Sequence, residues 1–309
     1  MIIVVIGNYR GGKMRNYRKK FNALVIDTET CFKNEHSYII AEIGWTIGNA
    51  LDKSDKPTSK RFLVADTLCN PEYWLHSQKL KNIHSSLANE NEGERLAYKM
   101  DSRYIKYQQQ IQKLNAIGKT DSVLKNWRCI LDELIKDLAL ADSVGAYNSK
   151  FDFMALQTTT RRFHHTTFAE IEKLPKFCVM DMFGNHAINM NYFKMIDSLD
   201  DDEKDYFLSK SKKNLGYSAE IMSRYMSMDY GYIEEHEAEQ DSLIEYWLLC
   251  EFLSRWRSVF FSDYYNNVKP VKWTEIRDRL SAKEKGKKRL GGITDKQIPQ
   301  SETQLEIEL

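Results

Sequence analysis

A chain of 309 residues, 42% hydrophobic, 29% charged and 12% aromatic, can bury a large core and has the ordinary composition of a soluble globular protein. Its 45 basic and 44 acidic residues leave a net charge of +1, so no global charge advertises a nucleic-acid partner, although a local basic path beside an acidic site is not excluded. Five scattered cysteines (Cys31, Cys69, Cys129, Cys178, Cys250) with no CxxC pair argue for reduced thiols in a cytoplasmic protein, and no stretch approaches membrane-spanning length.

The apolar start Met1–Ile6 is too short for a span or a secretory segment. Gly7–Lys13 satisfies GxxxxGK, but Met14 stands where a phosphate-binding loop needs Ser or Thr to hold magnesium, which argues against an ATPase. Arg10–Met14 is also what a purine-rich ribosome-binding site and start codon would encode. Met14 is therefore the expected native start, with residues 1–13 upstream of it and residues 1–20 an N-terminal extension.

Ala23–Asp27 is an apolar run ending in a carboxylate, the pattern of a buried strand. Tyr38–Ile47 and Arg61–Ala65 read as two more strands, with a turn at Lys53–Lys60 around Pro57, so an antiparallel meander is expected. Met100, Tyr104, Tyr107, Ile111 and Leu114 form a stripe of about two heptads. That is short of the three to four a coiled coil needs, and it predicts a helix that packs on its own domain or forms a helical hairpin. Val123, Leu124, Trp127, Ile130, Leu131, Leu134, Ile135 and Leu138 predict an amphipathic helix, and Ser143–Tyr147 a short strand.

A strand is expected around Phe177–Met180, an exposed charge-dense stretch over Asp197–Lys213, and helices over Leu215–Met226 and Leu243–Trp256. The fold class is α/β: a mixed central sheet flanked by helices. One domain is expected over 21–256 with a helical insertion near 85–120. Residues 257–309 form a C-terminal extension, polar and disordered after 283.

Three short motifs carry chemistry. In Asp27-Thr28-Glu29 the two acids share one face of a buried strand end, where they repel unless a cation neutralises them. Oxygen ligands in that setting suit Mg²⁺ or Mn²⁺. Asp152, in Tyr147-Asn148-Ser149-Lys150-Phe151-Asp152, falls at the start of a helix. Asp241, in His236-Glu237-Ala238-Glu239-Gln240-Asp241-Ser242, opens the last apolar helix. On that helix His236 would lie about 140° from Asp241, so the two can meet only if His236 sits in the loop before it. Taken singly, each motif has a plainer reading: a solvated strand end, an acid at a helix N-terminus, a capping region.

Together, the order and context of these motifs resemble the DEDDh group of DnaQ-like 3′→5′ exonucleases, which have a ribonuclease-H-like fold. The matching residues are Asp27-Thr28-Glu29-Thr30 followed by Glu42-Ile43-Gly44, then Tyr147-Asn148 with Asp152, then His236, Ala238, Asp241 and Ser242. Val179–Met182 and Asn214–Tyr217 resemble neighbouring stretches. The likeness spans roughly residues 21–255. It departs in the long interval from Glu29 to Asp152 and in Ala146-Tyr147, where the family more usually has Gly-His.

The resemblance implies two ions, Mg²⁺ or Mn²⁺, held by Asp27, Glu29, Asp152 and Asp241, with His236 as the general base for the attacking water. It implies DNA or RNA with a free 3′ end as substrate, nucleoside 5′-monophosphates as product, and Asn148 with the backbone around Thr28–Thr30 against the terminal nucleotide. Phe32 and Phe153 are candidates for stacking on its base. The competing expectation is a nucleic-acid-binding or scaffold protein that keeps the fold without the activity.

Overall fold

The computed structural model describes residues 20–34, 37–70, 73, 90–164, 168–186, 192–208, 216–234 and 236–256. The expectations for residues 1–19 and for everything after 256 lie outside these. The first compact unit holds 20–186 and 217–256; the second holds 192–208 with 216.

In chain order the first unit contains β1 (Asn22–Asn34), β2 (Ser37–Asn49), β3 (Thr58–Val64), α1 (Glu90–Ala116), β4 (Leu124–Lys125), α2 (Trp127–Leu138), β5 (Ser143–Ala146), α3 (Ser149–His164), β6 (Lys176–Cys178) and α4 (Val179–His186). α5 (Tyr192–Ser198) belongs to the second unit, and α6 (Ala219–Ser227) and α7 (Ala238–Trp256) return to the first.

Among the described residues the strands form one sheet in the order β4-β3-β2-β1-β5-β6. β1, β2 and β3 are the expected antiparallel meander, while β5 runs parallel to β1, β6 to β5 and β4 to β3. The centre of the sheet is β1. Ala23, Leu24, Val25 and Ile26 are all fully buried because helices cover both faces. Leu24 and Ile26 join Trp45, Trp127, Ile130, Leu134, Ala155 and Leu156 in the main core under α2 and α3.

Alternation then turns Val25, Asp27 and Glu29 to the opposite face. That face carries α7. Asp27 pairs with Gly44 across β1 and β2, and any Cβ at Gly44 would fall inside the backbone of Ala238 and Glu239. The missing side chain therefore lets the first turn of α7 lie directly on β2, beside Asp27. Thr46 fastens the same contact by a 3.0 Å hydrogen bond to Ser242. Gly44→Ala is expected to destabilise the fold by about 1–3 kcal/mol, the usual cost of overpacking, and to displace Asp241. Urea melts of the variant test this; unchanged stability would mean that α7 is not seated through Gly44.

Several boundaries differ from those expected. The helix predicted from Val123 begins at Trp127, because Asn126 caps it by accepting from the Cys129 N–H, and Leu124–Lys125 pair instead with Leu63–Val64. β6 ends at Cys178, and Val179 opens a helix. β3 starts at Thr58 and stops at Val64; Ala65 begins a one-turn helix, Ala65–Leu68. α6 starts at Ala219, capped by Ser218, and α7 starts at Ala238. Apolar periodicity underestimated α7 because its first buried positions are the small or polar Ala238, Asp241 and Ser242.

The striped segment is α1. Tyr104, Ile111 and Leu114 pack on a cluster containing Leu68, Tyr73 and Tyr107, so the stripe is used within its own unit. In the second unit Tyr192 and Phe207 meet edge to face at 6.3 Å, and Asp200 and Glu203 form a capping box in the exposed acidic stretch. No helix among the described residues is long and apolar enough to cross a membrane.

Candidate active site

The carboxylates converge midway along β1, between the N-termini of α3 and α7; the strand runs on to Asn34 instead of ending at Asp27 as expected. Glu29, His236 and Asp241 each bring a ligand atom within 4.8 Å of the others. Glu29 and Asp241 are buried and His236 is exposed. His236 precedes α7 in the loop rather than on the helix, with φ 55°, a left-handed conformation that is uncommon outside glycine. This places Nδ1 3.6 Å from Glu29 Oε1. The 140° offset of a continuous helix is thereby avoided.

Asp152 enters from the first turn of α3, where the helix dipole favours a carboxylate. Its Oδ1 accepts the Thr28 N–H at 3.1 Å and the Thr28 hydroxyl at 2.8 Å. Thr28 thus orients Asp152, and its side chain is buried. Thr30 is also buried, and its carbonyl accepts from Arg103 at 3.4 Å. Asn148 is exposed beside the α3 N-terminus. Phe153 is buried in the main core, which removes it as a stacking platform. The side chain of Phe32 lies outside the described residues.

So many acids in one place perturb one another. Burial, then the charges of Asp152, Glu29 and Asp241, pushes Asp27 well above the usual carboxylate range. Burial, partly opposed by the Thr28 hydrogen bonds, takes Asp152 to about 7. Burial, then Glu234 and Glu29, takes Asp241 to about 8. Among the described residues, Asp27 Oδ2 and Asp241 Oδ1 are enclosed without a hydrogen-bond partner. Buried polar atoms are normally satisfied, and these are hard oxygen donors clustered with two further acids. The donor set fits divalent ions of the Mg²⁺ or Mn²⁺ type.

The ordering of β1, β2 and β3 as a meander, with parallel β5 and β6 added beside β1, is the arrangement of a ribonuclease-H-like sheet. The chain has a mixed central sheet flanked by helices, consistent with that fold. No family model and no curated protein matches its sequence. Among solved structures it resembles a 3′-exonuclease in the work on 3′-end-specific recognition of histone mRNA stem-loop, at 12% identity and TM-score 0.46, covering 82% of this chain and 90% of that one. A full-length 3′-exonuclease matches at 12% identity and TM-score 0.42 with the same coverages. A moderately thermophilic Exonuclease I from Methylocaldum szegediense matches at 9% identity and TM-score 0.43, covering 77% of this chain and 41% of that one. Likeness this distant carries no functional weight; the geometry of the site carries it.

Glu245 and Arg103 escape the motif reading, and Glu42 enters it without a role. Glu245 lies one turn after Asp241 on α7; burial, then Asp27 and Asp152, raises its carboxyl well above the usual range, and it accepts the Tyr147 N–H at 3.1 Å. Its i, i+4 spacing from Asp241 was the available signal. Glu42, opposite Glu29 in the strand register, accepts from Ala238 N–H at 3.1 Å and from Arg61 Nε at 2.7 Å. It therefore caps α7 from the sheet. From α1, Arg103 reaches Glu29 and Lys106 donates to the His236 carbonyl at 3.3 Å.

Proposed function

We propose that this chain is a divalent-metal-dependent exonuclease that hydrolyses phosphodiester bonds at the 3′ end of DNA or RNA and releases nucleoside 5′-monophosphates. The observation that carries the reading is the meeting of Glu29, His236 and Asp241, from segments more than 200 residues apart, beside two enclosed and unpartnered carboxylate oxygens. A scaffold protein has no physical need to hold repelling acids together in its interior.

Asp27, Glu29 and Asp241 would hold the ions, with Asp152 completing the set. Two such ions, when bound, would supply Lewis-acid stabilisation of charge on the attacking and leaving oxygens. The remaining work falls to the chain. His236, exposed and held at the mouth by its left-handed backbone, takes the proton of the attacking water. Thr28 keeps Asp152 in one orientation, and Asn148, exposed beside the α3 N-terminus, would meet the terminal nucleotide. The 3′→5′ direction follows from the motif resemblance.

Purified protein incubated with 5′-end-labelled DNA and RNA oligonucleotides is expected to shorten them stepwise with Mg²⁺ or Mn²⁺ and not with EDTA. Absence of metal-dependent shortening on every substrate would sink the reading. His236→Ala is expected to slow the reaction by about 10²- to 10⁴-fold, the range for loss of a general base, while leaving Mn²⁺ affinity nearly intact. Parallel loss of both would make His236 a ligand instead of a base.

A further inference from the structure

The inserted helix α1 does more than pack. Arg103, Lys106, Tyr107 and Gln110 recur at helical spacing, so one face of α1 lies along the site. Tyr107 donates to Glu42, Gln110 lies 3.5 Å from Glu237 and 3.1 Å from Arg61, and Lys106 reaches the His236 carbonyl. Arg103 is the member that touches a carboxylate of the candidate metal set: Nη1 lies 3.0 Å from Glu29 Oε2. Its side chain keeps 21% of its accessible surface, so it stands at the mouth of the site and not in the core.

We propose that Arg103 changes partners during function: it neutralises Glu29 while no divalent ion is held, and binds a phosphate of the nucleic-acid strand once an ion has claimed Glu29. The inference rests on the nuclease reading above and adds a phosphate-binding residue that the catalytic motifs do not contain. Two observations carry it. Glu29 belongs to the group whose ligand atoms lie within 4.8 Å, so an ion bound there and the guanidinium would compete for one carboxylate. Both contacts of Arg103 among the described residues, the ion pair with Glu29 and the hydrogen bond to the Thr30 carbonyl, pass through Nη1. Among those residues Nε and Nη2 make neither kind of contact, and the planar guanidinium fork is suited to a phosphate.

Arg103→Gln, Arg103→Lys and a charge-removing control on the exposed face of α2, Arg128→Gln, separate the two roles in the full chain. Folding is checked by circular dichroism, and binding by calorimetric titration with MnCl₂, then with adenosine 5′-monophosphate or adenosine on the Mn²⁺-loaded protein. Removing the competing cation in Arg103→Gln is expected to tighten Mn²⁺ binding about three- to tenfold, the range of a partly buried ion pair. It should also weaken adenosine 5′-monophosphate by about tenfold, with adenosine unchanged, because a charge-assisted contact is lost. Arg103→Lys keeps the charge without the fork, so it should retain wild-type Mn²⁺ affinity and still bind the monophosphate less well. Arg128→Gln should match wild type in both titrations. Mn²⁺ affinity unchanged or weakened in Arg103→Gln overturns the inference while leaving the nuclease reading intact, as does undiminished monophosphate binding. A wild-type chain that takes up no Mn²⁺ overturns both.

Discussion

Asp27→Asn is expected to abolish hydrolysis and at the same time make the metal-free protein more stable. The two effects have one cause. Asp27 stands among Asp152, Glu29 and Asp241, and its Oδ2 is enclosed with no hydrogen-bond partner among the described residues. Without a cation, ionisation there is opposed by burial and by three like charges, so the folded state bears a cost that a neutral amide removes. An Asn amide can also donate to the neighbouring carboxylates, which Asp cannot do when ionised. A gain of about 1–3 kcal/mol follows from relieving one unsatisfied buried group, and at about 2–4 °C per kcal/mol it appears as a rise of several degrees in Tm in EDTA. Activity should fall by at least about 10³-fold, because oxygen ligands of a two-ion site act together and their losses are not additive. A variant that is inactive but less stable than wild type in EDTA would show that Asp27 serves the fold rather than the ions.

The sequence makes the fold legible where one face of an element is plainly apolar. β1, β2 and β3 announce themselves by their β-branched runs, and α2 by its stripe. The site is legible for a different reason: Asp27 and Glu29 interrupt an apolar strand, Asp152 and Asp241 open helices, and the order and context of these motifs agree although each alone has a plainer reading. What escapes notice depends on tertiary contact. Gly44 looks like an ordinary strand glycine until the backbone of Ala238 is laid against it. Glu42 is part of the motif resemblance, yet nothing in the sequence says that it is fully buried and caps α7. Glu245 is lost within an apolar helix, and Arg103 within a polar one, because neither the i, i+4 step nor the helix periodicity says which foreign element each will meet. Thr28 illustrates the converse: a position next to the acids invites a substrate role, whereas its hydroxyl is used by Asp152.

In EDTA the thermal stability of the wild-type protein is expected to fall as pH rises from about 5 to about 8.5, and Mg²⁺ or Mn²⁺ should cancel most of the fall. Unfolded carboxylates titrate near about 4. In the folded chain Asp152 is pushed to about 7 and Asp241 to about 8, with burial the largest cause for both, and Asp27 and Glu245 are raised in the same direction. Between those limits the folded state holds protons that the unfolded state has released, so stability falls with rising pH. The contribution is fully present below the unfolded values and gone once pH passes the folded ones. Divalent ions bind the deprotonated groups, so their stabilising effect should be small near pH 5 and largest above pH 8, with protons released on binding. Melts across this range with EDTA or saturating Mg²⁺ read the effect directly, and Asp27→Asn in EDTA should show a shallower slope than wild type. An EDTA profile that is flat, or that rises with pH, would mean that the acids midway along β1 are not buried together, and the metal-centre reading would fall with them.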